Sequence, residues 1–574
     1  MMETPSKIFG INLKQKDLNV IVFIVFLIGL SVRLAGLGSA PFSENEANFA
    51  LRAGDIARFE PVVPISNAAY LGLTSITFFL KDATAFWARF WPALVGGSLA
   101  LLPLFWRKQL GTFSVIGISL ALALDPVLVT LSRQADGPIL ALAGLAWGLT
   151  FLNDRKAVLA GVSLAVGWLG GLWFWGGLII LTVSWLLVKM LGIQVNRGEE
   201  VSDTPQAKKR FLVTFLFSWV ISLMLVSSAF MLNPSGVGGI GSGLVGFFSK
   251  IFSRQTTPGW ASIYRLIAYS SLPLVLGIAS SIRLWRQKET HDKALSVLAL
   301  VALAASVGFI GLGSGGLAFA VIPLWILSVG ELRHFFQQGS TGRNVSVGMM
   351  LFSLVVLVYL SITLKSFMGS QWGSSTDSHF GGAILAGLIL LLLSYVLVGM
   401  GWSFQAANKG LFSAILIVLL VSSLSLTFSS IHHRAEFNAL VWSGSPVLVS
   451  EDEVDQVLGE LEQQGTLEPG VSKAVILGDS QDGLAWIFHG FDQVLVLSGL
   501  RDGFTPEVIV TAQDFQPEAD FAYRGMPFVS QRAVDWNNVS LVDLARGIWI
   551  GGLKTTDSTK TLWIRQDLFT GVSN

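Results

Sequence analysis

Over its first three quarters the chain alternates between long apolar runs and short polar stretches, and then its character changes. A membrane-crossing helix needs about 20 mostly apolar residues, and the first such run covers about residues 18–37. Twelve more follow near 88–106, 111–131, 137–152, 157–172, 174–192, 211–232, 262–282, 294–312, 316–330, 346–364, 381–401 and 410–429. The pattern predicts a polytopic α-helical membrane protein of about 13 transmembrane helices over 1–430, with a first outer loop at 38–87. The first run is too long for a signal peptide, and Pro41 follows its one small-residue site, so a retained anchor is expected. From about residue 431 short β-rich runs at 446–449, 474–477, 493–497 and 507–510 flank an amphipathic helix over 451–464. Strands and helices alternating at these lengths predict an α/β layer domain over 431–574.

Composition agrees with this division. The 574 residues are 52% hydrophobic and 13% charged, against about 25% charged in soluble domains. That excludes a soluble multidomain enzyme and a disordered chain. With no cysteine, thiol nucleophiles and Cys-ligated metals are excluded as well. The net charge of +1 conceals two compartments. The segment from 431 onward has 9 basic and 20 acidic residues, a net −11, which leaves +12 on the membrane part. Nineteen of the 29 Lys and Arg of that part fall on one side of the thirteen runs, the side of the N-terminus. The positive-inside rule then places the N-terminus in the cytoplasm and the C-terminal domain outside a cell membrane.

Candidate chemistry concentrates in the outer loops. The first reads Gly38-Ser39-Ala40-Pro41-Phe42-Ser43-Glu44-Asn45-Glu46-Ala47, ahead of an amphipathic helix expected to lie at the membrane surface. Glu44 and Glu46 could act as a base or metal ligand at the lipid–water boundary, or could cap that helix, since acidic residues favour a first turn. Arg133 and Asp136, three apart at the top of the third run, could pair structurally or serve a substrate. Lys250, Arg254 and Arg265 in a later outer loop suit a lipid phosphate, or are ordinary snorkelling cations. The stretch 233–249 is expected to be a flexible Gly/Ser loop. The stretch Gly167-Trp168-Leu169-Gly170-Gly171-Leu172-Trp173-Phe174-Trp175-Gly176-Gly177 suits close helix packing or a broken helix, with its tryptophans at an interface. None of the six histidines, including the adjacent His432 and His433, has a metal-ligand spacing, and no phosphate-binding loop, dinucleotide fingerprint or nucleophile elbow occurs.

Three blocks resemble the GT-C glycosyltransferases, which include protein O-mannosyltransferases and aminoarabinose transferases (glycosyltransferase family 39-like). They are Arg33-Leu34-Ala35-Gly36-Leu37-Gly38 with the acidic loop after it, Ala88-Arg89-Phe90-Trp91-Pro92-Ala93, and Ser132-Arg133 with Asp136-Gly137-Pro138. The soluble end, with Arg434-Ala435-Glu436 and Trp563-Ile564-Arg565, is similar to a subgroup described as flippase-activity-associated membrane proteins. The resemblance implies a GT-C-like membrane fold and transfer of a sugar from a polyprenyl-phosphate donor to a glycan or protein acceptor outside. It implies membrane lipid as a further partner and no nucleic acid. It assigns the loop positions Glu44, Asn45 and Glu46, together with Asp136, to catalysis, and Arg89, Arg133, Lys250, Arg254 and Arg265 to the lipid phosphate. No metal ligand is identified, and no cofactor is expected beyond room for a divalent cation. One departure matters: Asn45 stands where the family's Asp belongs, and an amide has no useful basicity. The alternative is therefore an inactive GT-C scaffold that binds, or helps flip, polyprenyl-linked glycans.

Overall fold

The computed structural model describes residues 7–8, 11–12, 15–60, 62, 66–193, 204–252, 258–287, 293–308, 313–337, 342–369, 375–431, 434–478, 483–500, 503–513, 515–518 and 521–570. Each of the thirteen apolar runs is helical. In chain order the first eight helices are α1 (Gln15–Leu34), α2 (Glu44–Ala57), α3 (Ala68–Leu80), α4 (Ala85–Ser98), α5 (Thr112–Leu124), α6 (Pro126–Ser132), α7 (Pro138–Asn153) and α8 (Ala157–Leu169). They continue as α9 (Leu172–Met190), α10 (Pro205–Ser227), α11 (Ser242–Phe252), α12 (Trp260–Tyr269), α13 (Ser271–Arg286), α14 (Lys293–Gly308) and α15 (Gly313–Gln337). The bundle ends with α16 (Arg343–Gly369), α17 (Ser375–Gly401) and α18 (Phe404–Ser429).

Among the described residues, eight helices are long and apolar enough to cross a membrane, or ten counting two bent pairs. The first pair, α5–α6, bends by 49° at Asp125. Asp125 N-caps α6 by accepting from the Leu128 N–H at 2.9 Å, and Pro126 takes the first helical position, where it needs no amide hydrogen. Trp325 on α15 donates its indole N–H to the other Asp125 oxygen at 2.8 Å and so holds the break closed. The second pair, α12–α13, turns through 95° at Ser270. Shorter apolar helices account for the runs at 137, 157 and 294, and a fourth, α3, lies inside the loop that the sequence pattern left without helices beyond its amphipathic one. The 233–249 stretch is not a loop. Pro234–Gly241 forms a 3-10 helix and Ser242–Phe252 an α-helix, with Gly243 packed against the backbone of Gly171.

The C-terminal part holds helices α19 (Ala435–Ser443), α20 (Glu451–Gln463) and α21 (Leu541–Trp549) around a six-stranded sheet. Its strands are β1 (Val447–Leu448), β2 (Lys473–Leu477), β3 (Gln493–Leu497), β4 (Val508–Ala512), β5 (Tyr523–Val534) and β6 (Thr555–Arg565), in the order β1-β5-β6-β4-β2-β3. The three parallel strands β3, β2 and β4 carry the apolar runs expected of strands covered on both faces. The long antiparallel β5 and β6, rich in Thr, Ser and Arg, close the other half.

This domain is stitched to the first loop of the membrane part. Ser43 bridges Val447, the Leu448 N–H donates to the Phe42 carbonyl at 2.8 Å, and the Glu44 N–H donates to the Pro446 carbonyl at 2.8 Å. Residues 42–44 therefore extend the sheet beyond its edge strand β1. Phe42 also meets Trp486 edge-on, and Arg546 donates to the Met368 carbonyl at the end of α16.

Candidate active site

Glu46, Arg89, Arg133 and Asp136 gather at the end of the bundle that carries the sheet domain. Ser43 starts α2 as its N-cap. Its hydroxyl accepts from the Glu46 N–H, and its own N–H and hydroxyl donate to Glu46 Oε2, each at 3.1 Å. This is a capping box. The other oxygen, Oε1, accepts from Arg89 Nε at 3.1 Å and from the Ala135 N–H at 2.8 Å. Arg89 in turn donates to the carbonyls of Leu37, Ala40 and Pro41, and its guanidinium lies over the Phe42 ring. Both side chains are almost fully buried. Glu46 and Arg89 thus tie the first loop, α2, α4 and the α6–α7 turn together.

Arg133 is committed in a similar way. One terminal nitrogen donates to the carbonyls of Arg33 and Ala35, and the other to that of Gly36. These are carbonyls at the end of α1 and just past it, which an α-helix leaves without internal partners. The expected pairing of Arg133 with Asp136 does not form among the described residues. Arg133, Glu46 and Arg89 border a cavity of only about 30 Å3, far below the roughly 300–1,000 Å3 of small-molecule sites.

Asp136 sits differently, in the turn between α6 and α7. Its Oδ1 accepts from the Gly137 N–H at 2.6 Å and from Asn67 Nδ2 at 2.7 Å. Among the described residues Oδ2 accepts no hydrogen bond, and the side chain is only partly covered. Enclosure by protein pushes the Asp136 carboxyl up, to about 7. The Gly137 N–H, Lys250 and Asn67 pull it down, and the charge of Glu46 adds to the rise. Asn67 is held in the left-handed region at φ 71°, and its buried Oδ1 has no hydrogen-bond partner among the described residues. Gly171, at φ 86°, packs against that oxygen so closely that a Cβ would stand 2.2 Å from it. The tight Gly170–Gly171 turn between α8 and α9 thereby lets Asn67 reach Asp136.

The remaining candidates occupy several places. Asn45 is exposed, and Glu44 is partly exposed on the first turn of α2. Lys250 is exposed on α11, near enough to Asp136 to affect its proton affinity. Arg265 is buried against the sheet domain, donating to the Val441 carbonyl at 2.6 Å and standing 5.2 Å over the Trp536 ring, with Nη2 unpartnered among the described residues. Arg254, His432 and His433 lie outside the described residues. Among the described residues no three His, Asp or Glu side chains gather closely enough to hold a metal ion. Sequence reading missed Asn67. Its only signal was an Asn placed ahead of an apolar run.

No protein-family model matches the sequence, and no curated protein matches it. Two solved structures do resemble it in fold. ArnT from Cupriavidus metallidurans bound to undecaprenyl phosphate aligns with a TM-score of 0.54 at 14% identity, covering 95% of this chain and 98% of that chain. The same protein in the apo state aligns with a TM-score of 0.50 at 15% identity, covering 86% and 93%. The chain has the fold of ArnT: a helical bundle with eight to ten candidate membrane spans among the described residues, and a C-terminal sheet domain.

Proposed function

We propose that this protein is a membrane glycosyltransferase that moves a sugar from a polyprenyl-phosphate donor to an acceptor hydroxyl on the extracytoplasmic face, with Asp136 as the base. The observation that carries this reading is the state of Asp136: one carboxylate oxygen has no partner among the described residues, and its proton affinity is raised towards neutrality. A base with a pKa near the working pH is the most effective. Both oxygens of Glu46 are already occupied, and Asn45 is an amide. In the reaction the acceptor oxygen bonds to the anomeric carbon, and the bond from that carbon to the phosphate oxygen breaks with its electron pair on the phosphate. The acceptor proton passes to Asp136. Lys250 supplies positive charge for the departing phosphate, since Arg89 and Arg133 hold the protein's own carbonyls. Binding of undecaprenyl phosphate by ArnT and the excess of Lys and Arg on the side opposite the sheet domain support the donor class and the orientation.

The exposed amide of Asn45 favours one second reading, a carrier-binding protein without turnover. Reconstituted protein given radiolabelled polyprenyl-phosphate hexose and pentose, with membrane glycans as acceptors, separates the two. Label transfer that needs Asp136 supports the enzyme. Saturable donor binding without transfer by the wild type supports the carrier-binding protein and refutes the enzyme.

A further inference from the structure

At the opposite end of the bundle from Asp136, a second cavity opens between α7, α9, α14 and α15. Its free volume is about 520 Å3, within the roughly 300–1,000 Å3 typical of ligand sites. Along α7 its wall runs from Leu142 to Asn153, a length of about 16 Å at 1.5 Å per residue. The lining is apolar except at one end, where Gln109, Thr150 and Asn153 lie. Leu149, on the same wall, is 43% exposed, so the cavity opens sideways from the bundle. In a bilayer such an opening admits hydrocarbon.

Positive charge gathers at the polar end. Arg333 donates to the carbonyl of Leu110, a lining residue, at 3.3 Å. Arg107 and Lys108 follow the lining residue Trp106 directly in sequence. Lys156 lies over the Phe105 and Phe151 rings, and Lys293 begins the helix that supplies Leu295 and Leu298. Among the described residues no carboxylate lines the cavity. The acidic groups nearest in sequence are the exposed Asp154, next to Asn153, and Glu331, which is paired with Arg283 at 2.7 Å. A basic rim over an apolar slot matches an amphiphile with a negative head.

We propose that this cavity is a binding site for an anionic glycerophospholipid of the leaflet opposite the sheet domain. One acyl chain lies along α7, and the phosphate sits at the Gln109–Asn153 end beside Arg333. The site stands apart from Asp136, at the other end of the same helix, and does not depend on the transfer reaction. The lipid holds α7, α9, α14 and α15 together from the side facing away from the chemistry.

The test is native mass spectrometry of the full chain, released from nanodiscs containing equal amounts of phosphatidylglycerol and phosphatidylcholine with identical chains. Wild type is expected to retain one phosphatidylglycerol, with a preference of about fivefold for each cation at the headgroup. Arg333→Gln should reduce that preference by about fivefold. Ala146→Phe, which fills the slot, and Leu149→Trp, which blocks its exposed mouth, should each lower retention of both lipids by about tenfold, roughly the effect of two unburied methylenes. Leu149 is exposed, so its replacement leaves folding intact and keeps the test decisive if Ala146→Phe does not fold. Equal retention of the two lipids by wild type, or undiminished phosphatidylglycerol on Leu149→Trp, would overturn the proposal.

Discussion

Glu46 and Asp136 are neighbouring carboxylates with opposite fates. Glu46 bonds to the backbone of Ala135, the residue next to Asp136, so the two groups share one small region. Around Glu46 every acceptor position is used: the capping box takes one oxygen, and Arg89 and the Ala135 amide take the other. Around Asp136 one oxygen is held in place by Asn67 and Gly137, and the other accepts no hydrogen bond among the described residues. An acidic residue in a reactive loop is therefore not a base by virtue of its type. The sequence places both residues in one neighbourhood, and the hydrogen bonds saturate one carboxylate while leaving the other partly unsatisfied among the described residues.

The comparison breaks most severely at the Glu46–Arg89 knot. Glu46→Ala or Arg89→Ala leaves a buried charge unpaired, which costs about 3–5 kcal/mol. Thermal unfolding in detergent should show a large drop in Tm, or loss of folded protein, for either variant. A Glu46→Ala variant with unchanged Tm and no transfer would instead assign Glu46 to the chemistry.

The proton affinity of Asp136 sharpens the contrast. Its carboxyl is raised to about 7, and only the deprotonated form accepts a proton. Transfer should therefore be flat above pH 7 and fall about tenfold per unit below it, as measured by initial rates at saturating donor. The sign is fixed: raising an acid's pKa moves its loss of activity towards neutral pH. A rate unchanged down to pH 5 would contradict it.

The smaller effect belongs to the contact proposed for Lys250, one charged group facing the donor phosphate, worth about 1.5–3 kcal/mol. Lys250→Gln is expected to raise KM for the polyprenyl-phosphate donor by about tenfold or more, with the pH profile retained. The smallest effect is expected at Asn45. Placing a carboxylate there, Asn45→Asp, puts a charge on the exposed first turn of α2, and the rate should change by less than about threefold. A gain of tenfold or more would move the base from Asp136 to position 45.

Much of this arrangement was legible in sequence because its signals are local. Apolar runs of about 20 residues have few solutions other than a helix, and all thirteen became helical. The capping alternative for the first loop followed from acidic residues ahead of an amphipathic pattern, and Ser43 with Glu46 realises it. The illegible features are those made by distant pairing. Arg133 reaches Arg33 and Gly36 across about 100 residues, so its proximity to Asp136 in sequence misled. The left-handed Asn67 acquires meaning only when Gly171 packs on it. The strands Tyr523–Val534 and Thr555–Arg565 are polar and partly exposed and stabilise each other by pairing, which no hydrophobic period announces. The joining of residues 42–44 to the sheet edge is likewise a matter of backbone hydrogen bonds, on which side-chain pattern is silent.

The most direct measurement is the transfer rate of Asp136→Asn beside its thermal stability. The exchange keeps the shape of the side chain and the Asn67 contact while removing the base. Transfer from polyprenyl-phosphate sugar should fall by about 100- to 10,000-fold, with Tm within a few degrees of wild type and donor binding retained. A folded Asp136→Asn protein that transfers at more than a tenth of the wild-type rate would contradict the assignment of Asp136 as the base.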